Sequence, residues 1–142
     1  MIYLDTGCLV KLYYPEPNSH LVATRVTGKV ICYTALHDLE LTNALHQKKF
    51  RNQATAAQIQ AARGLIATDL ASGQLQLVSF PWDALYQDAL LLTEMHTASI
   101  GCRTLDILHC AQARRLGAAD FISTDGRQIQ IATAMGLPFT AL

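Results

Sequence analysis

The chain alternates short apolar runs with longer stretches in which apolar residues recur at helical spacing. That alternation predicts an α/β fold on a parallel sheet. Residues 1–4 (Met-Ile-Tyr-Leu) read as a strand buried on both faces. Residues 8–14 read as a short helix stopped by Pro15 and Pro17, and residues 20–27 as a second one. Residues 30–33 are rich in β-branched and aromatic side chains and read as a strand. Thr34 offers an N-cap to a helix over residues 35–48. An alanine-rich helix over residues 54–71 is closed by Ser72-Gly73. Residues 75–80 alternate as a strand that Pro81 stops, and a helix opens at Trp82 or Asp83 and runs through Leu92 to about Thr97. A helix over residues 104–116 ends at Gly117, a strand covers residues 120–123, a helix over residues 127–135 ends at Gly136, and residues 138–141 form a last strand. The expectation is about five strands with helices between them, with no internal repeat, low-complexity segment or long linker.

With 142 residues the chain is expected to form a single domain, residues 1–142. Hydrophobic residues make up 51% and charged residues 15%, which excludes intrinsic disorder. Eleven basic and eleven acidic side chains give zero net charge, so a polyanion would need a local reason to bind, such as a metal or a small basic patch. So neutral and apolar a chain also suggests a hidden apolar face. No basic stretch precedes Asp5 and no small-residue cleavage site follows it, so no signal peptide is expected, and no apolar run spans a bilayer. Cys8, Cys32, Cys102 and Cys110 have no C-x-x-C spacing, which fits buried free thiols in a reducing cytoplasm better than zinc or disulfides.

The informative residues are acids in apolar surroundings. Asp5 follows the first strand and Asp125 follows Phe-Ile-Ser-Thr, so both belong at the carboxyl ends of strands, where open parallel sheets bind ligands. Glu40 borders the apolar stripe of Leu36, Leu41 and Leu45, and Asp106 lies in a mostly apolar helical stretch, where a charge is costly unless paired or coordinated. Taken singly, Asp5 and Asp125 could cap helices, Glu40 could be solvated, and Asp106 could face a helix dipole. Converging on one edge, the four would repel, and a divalent cation is the natural compensation. Ligation by oxygen alone suits Mg2+ or Mn2+, ions that activate water and stabilise charge on a phosphodiester.

Four segments carry a family resemblance. Residues 1–13, around Asp5-Thr6-Gly7, residues 34–45 around Glu40, residues 103–113 around Asp106, and residues 121–127 around Thr124-Asp125 together resemble, in order, PIN-domain ribonucleases, in particular VapC-type toxins of bacterial toxin–antitoxin pairs. The resemblance implies a three-layer α/β/α sandwich with a central, mostly parallel sheet of about five strands. It also implies a magnesium- or manganese-dependent endoribonuclease acting on RNA, neutralised by a small antitoxin, and a homodimer. Asp5, Glu40 and Asp106 match the family's metal-binding acids, and Asp125 matches a fourth acid that often acts through water. Thr6 and Thr124 match hydroxyl positions that steady the acidic cluster or the bound water. Gly7 departs from the pattern, where serine is common, and Asp38 reads as a surface residue.

Other residues have plainer readings beside functional ones. His109, one turn after Asp106, is a candidate ligand or acid–base group, but a packed core histidine is the preferred reading. Arg103 could meet phosphate or a site carboxylate, and Arg127 is the basic residue best placed beside Asp125 to meet RNA. Lys48, Lys49 and Arg51 read first as charge at a helix C-terminus, and Lys11 as a candidate cleft residue. Two rival functions bear on the same residues. A signalling receiver domain needs an acidic pair after its first strand and a late lysine, and neither is present. A catalytically silent PIN-like module that binds protein or RNA remains the alternative.

Overall fold

The computed structural model describes all 142 residues. The chain forms two compact units, one of residues 1–5 and 79–142, the other of residues 6–78. Five strands are present and every pairing is parallel, as the alternating pattern predicts; they pair as a sheet of three strands in the first unit and two in the second.

In the first unit, β1 (Tyr3–Leu4), β4 (Phe121–Ser123) and β5 (Phe139–Ala141) lie in the order β1-β4-β5. The central position of β4 leaves all three of its residues fully buried. The helices are α5 (Trp82–Leu92), α6 (Ala98–Ile100), α7 (Thr104–Leu116) and α8 (Gly126–Ala134). Helix α7 packs on both α5 and α8, and its residues from Asp106 to Ala113 are buried without a break. A helix enclosed on all sides has no polar face to give it period, which explains why this stretch reads as apolar nearly throughout. Between α5 and α6 the helix widens into a π turn (Thr93–Thr97). The Thr93 hydroxyl donates to the Ala89 carbonyl, 2.9 Å away, a local bond of the kind that loosens helices.

In the second unit, β2 (Ile31–Tyr33) pairs with β3 (Leu75–Leu77) beside α1 (Thr6–Tyr13), α2 (Ser19–Val26), α3 (Ala35–Phe50) and α4 (Ala56–Ser72). Its core holds Leu9, Val22, Ile31, Leu41, Leu45 and Leu75. The strand expected over residues 75–80 stops at Leu77 because β2 offers only three residues to pair; one further bond, Val78 N–H to Tyr33 O, closes it. Helix α4 starts at Ala56 rather than residue 54. The Thr55 hydroxyl accepts from the Gln58 N–H, and the Gln58 side chain accepts from the Thr55 N–H, a capping box that fixes the entry. His37 does the same for α3: it is fully buried, and its Nδ1 accepts from the Thr34 N–H at 3.1 Å. No helix is long and apolar enough to cross a membrane.

Leu45 and Leu39 test the orientation of α3. Leu45 is fully buried and Leu39 is 69% exposed. Leu45→Ala is expected to lower unfolding stability by roughly 2–5 kcal/mol, and Leu39→Ala by no more than about 0.5 kcal/mol. Urea denaturation of both variants measures the contrast.

Candidate active site

Strands β1 and β4 run side by side with Tyr3 opposite Phe121 and Leu4 opposite Ile122. One step further along this register sets Asp5 beside Ser123, and the Asp5 N–H donates to the Ile122 carbonyl at 3.0 Å. Neighbours in register present their side chains on one face of the sheet. The Ser123 hydroxyl accordingly donates to Asp5 Oδ2. Ser123 Oγ in turn accepts from the Asp125 N–H at 2.9 Å. Gln128 Oε1 lies 3.4 Å from it, but a hydroxyl has one proton, and the closer Asp5 contact takes it.

Asp106 enters from α7. Its Oδ2 accepts from the backbone N–H of Arg103 at 3.0 Å, and its Oδ1 accepts from Gln128 Nε2 at 3.2 Å. Asp125 caps α8, with Oδ1 accepting from the N–H groups of Arg127 (2.8 Å) and Gln128 (3.3 Å). Asp5 and Asp106 are only 3% and 8% exposed. Buried carboxylates need donors, and here a serine hydroxyl, a glutamine amide and backbone N–H groups supply them. The first unit thus links three acids through Ser123 and Gln128.

The other expected residues divide between direct contact and bystander. In the second unit, Thr6 Oγ1 donates to Glu40 Oε2 at 2.7 Å, so this hydroxyl does steady an acid. The Thr124 side chain is exposed, and the hydroxyl beside Asp5 belongs to Ser123. The strand register would have identified Ser123, because Asp5 and Ser123 each follow the last fully paired apolar residue of their strands. Gln128 was also missed; nothing in the sequence marks a glutamine one turn into a helix as an acid's partner. Arg103 is exposed and contributes its backbone N–H, while Arg127, half-buried beside Asp125, gives its backbone N–H to that acid. His109 is packed in the core. The Tyr3 hydroxyl donates to Gln112 Oε1 at 2.7 Å and contacts His109 Nδ1 at 2.9 Å, which places the imidazole proton on Nδ1. Asp38 is exposed and accepts from the Tyr33 hydroxyl.

No group of three or more His, Cys, Asp and Glu side chains is arranged to hold a metal ion. The reason is visible for Asp106, both of whose oxygens face donors of the protein itself. The donor set of Asp5, Asp106 and Asp125 is nonetheless oxygen only, the chemistry that suits a small hard cation. Beside these acids, burial pushes the Cys110 thiol up, with Cys102 and Asp106 adding to the effect, and burial followed by Asp106 raises Cys102 as well. Burial likewise raises Cys32 to about 12.

Two outcomes follow. Ser123→Ala is expected to cost about 1–3 kcal/mol by leaving a buried carboxylate short of a donor, and Thr124→Ala less than about 0.5 kcal/mol, both read by thermal or urea unfolding. Among the thiols only Cys102 is partly exposed, so iodoacetamide is expected to label Cys102 first. Because its pKa is raised, thiolate is scarce at neutral pH and the labelling rate climbs as pH rises past the ordinary thiol range. Mass spectrometry of the alkylated chain reports both the site and the rate.

Comparison with known proteins bears on the whole arrangement. Among solved structures, the chain is similar to the crystal structure of FitAcB from Neisseria gonorrhoeae, with a TM-score of 0.59 over 98% of this chain and 96% of that one. At 16% identity this is a likeness of fold. No curated protein matches. The model of the PIN domain matches residues 2–134, a span that takes in both units and all four acids, and the chain belongs to the PIN domain family.

Proposed function

We propose that the chain is a metal-dependent endoribonuclease that hydrolyses RNA phosphodiester bonds. We propose further that it is the toxin of a VapC-type toxin–antitoxin pair, neutralised in the cytoplasm by a small antitoxin and active as a homodimer. PIN domains are typically nucleases and generally use divalent metals. The observation that carries the reading is the set of carboxylates Asp5 and Asp106, both buried, and Asp125, half-buried, linked through Ser123 and Gln128. Structural acids at strand ends need no such shared network.

In this reading Asp5, Glu40 and Asp106, with Asp125 as the fourth acid of the family pattern, would hold Mg2+ or Mn2+. A bound divalent cation acidifies water and neutralises charge developing on the phosphate. The chain's own residues do the rest. Ser123 fixes the rotamer of Asp5, and Gln128 and the Arg103 N–H fix that of Asp106. Asp125 is held by its cap on α8, and Thr6 holds Glu40. Asp5 and Asp106 lie in a largely apolar interior, where the field of a carboxylate is little screened. No side chain is required as a covalent nucleophile, and the raised thiols are poorly suited to be one.

The test is cleavage of total cellular RNA by the purified chain with Mg2+, with Mn2+ and with chelator. Discrete fragments that require metal are expected. Asp106→Asn is expected to abolish them while the chain stays folded, and Thr6→Ala to reduce cleavage about 10–100-fold by loosening Glu40. Full activity of Asp106→Asn would sink the assignment. A folded, inhibitor-free chain that cleaves nothing would instead be a silent PIN module that binds RNA or protein.

A further inference from the structure

The second unit carries a concavity of about 360 Å³ lined by Lys11, Glu16, Lys48, Arg51 and two glutamines, Gln47 and Gln53, with Gly7 and Ala44 in its wall. We propose that this concavity binds the phosphate backbone of single-stranded RNA, as a subsite apart from the cleavage chemistry; the proposal rests on the nuclease reading above.

The first argument is position along α3. Glu40, Ala44, Gln47, Lys48 and Arg51 recur at spacings of four, three, one and three residues, so they share one side of the helix. At 1.5 Å per residue the stripe from Glu40 to Arg51 runs about 16 Å, long enough for a strand to track beyond an acid at its start. The second argument is charge. Three cations and one acid line the concavity, a net charge of +2 in a chain whose total is zero. Lys11 lies in the last turn of α1, and Lys48 lies in the last turn of α3 with Arg51 at its C-cap. Two helix C-termini present about one half negative charge each, roughly one in all. Compensating those dipoles therefore leaves about one positive charge in excess.

The third argument is how the cations are held. Lys48 is ion-paired to Glu16 and lies over the Tyr14 ring, 4.9 Å from its centroid, so it is fixed in place and partly neutralised. Lys11 and Arg51 have no carboxylate partner. Arg51 is exposed and Lys11 half-exposed, each with its charge open to the concavity. Gln47 and Gln53, both exposed, add amide donors for phosphate oxygens or ribose hydroxyls. An open concavity whose polar groups are two cations without a carboxylate partner, one paired lysine and two amides is chemistry for a polyanion.

The test is binding of a fluorescein-labelled, mixed-sequence single-stranded RNA, followed by anisotropy in chelator across a range of salt. Working without metal separates the subsite from catalysis. Lys11→Ala/Arg51→Ala is expected to bind about tenfold more weakly at low salt, and its plot of log affinity against log salt to flatten by about 1.4, two single-strand phosphate contacts. Arg51→Lys is expected to keep most of the affinity, and all variants to melt with the parent. Unchanged affinity and slope in the double variant overturn the subsite while leaving the nuclease reading intact. Loss of metal-dependent cleavage in the parent chain with RNA binding still dependent on Lys11 and Arg51 would fail the nuclease reading and keep the subsite. If the double variant binds RNA normally but no longer retains a co-expressed acidic protein, the concavity is a protein site and the proposal is wrong.

Discussion

Burying a carboxylate is the constraint on which the first unit depends. Asp5 and Asp106 sit among Tyr3, Leu4, Ile107, Phe121 and Ile122, where water cannot solvate an anion. An unpaired charge in such a place would cost several kcal/mol. The unit therefore has to deliver a donor to each carboxylate oxygen it buries, and the delivery fixes much of its local geometry. Ser123 must fall in register with Asp5, α8 must turn so that Gln128 faces α7, and α7 must begin where the Arg103 N–H meets Asp106. The same bonds that make the acids tolerable also aim them.

How much of this was legible from residues alone varied with the kind of signal. Helices α7 and α8 were readable because their ends are marked, by Gly117 in the left-handed region and by Asp125 as a cap. The five strands were visible as apolar runs between helices. Their pairing into three and two was not, since strands of two or three residues carry too few side chains to specify neighbours. Thr34 was legible as the N-cap of α3, but His37 as its reciprocal partner was not, because a capping box is usually closed by glutamate or glutamine. Asp5, Asp106 and Asp125 stood out as acids in apolar surroundings. Ser123 and Gln128 did not, because a small or amide side chain becomes informative only once a register or a helix phase places it against a charge. The face of Thr124, next to that hydroxyl, cannot be read without the partner strand.

The two units solve the problem of charge differently. In the first, anions are enclosed and hydrogen-bonded, so their field is focused rather than screened. In the second, cations collect where two helices end, open to solvent and sensitive to salt. A chain of zero net charge can thus be strongly polar at particular places, and its overall neutrality says little about an anionic partner.

The first unit is also discontinuous in the chain. Strand β1 lies within the first five residues, while its partner β4 begins at Phe121. A pairing so distant in sequence must wait through the loop-closure cost of more than a hundred intervening residues and is expected to form late. On the ribosome every residue of the second unit has emerged once Val78 has. Asp5 cannot meet Ser123, nor Asp106 meet Gln128, until nearly the whole first unit has been synthesised. A nascent chain is therefore free of the assembled acids for most of its synthesis, and the topology itself delays the moment at which the protein first becomes competent.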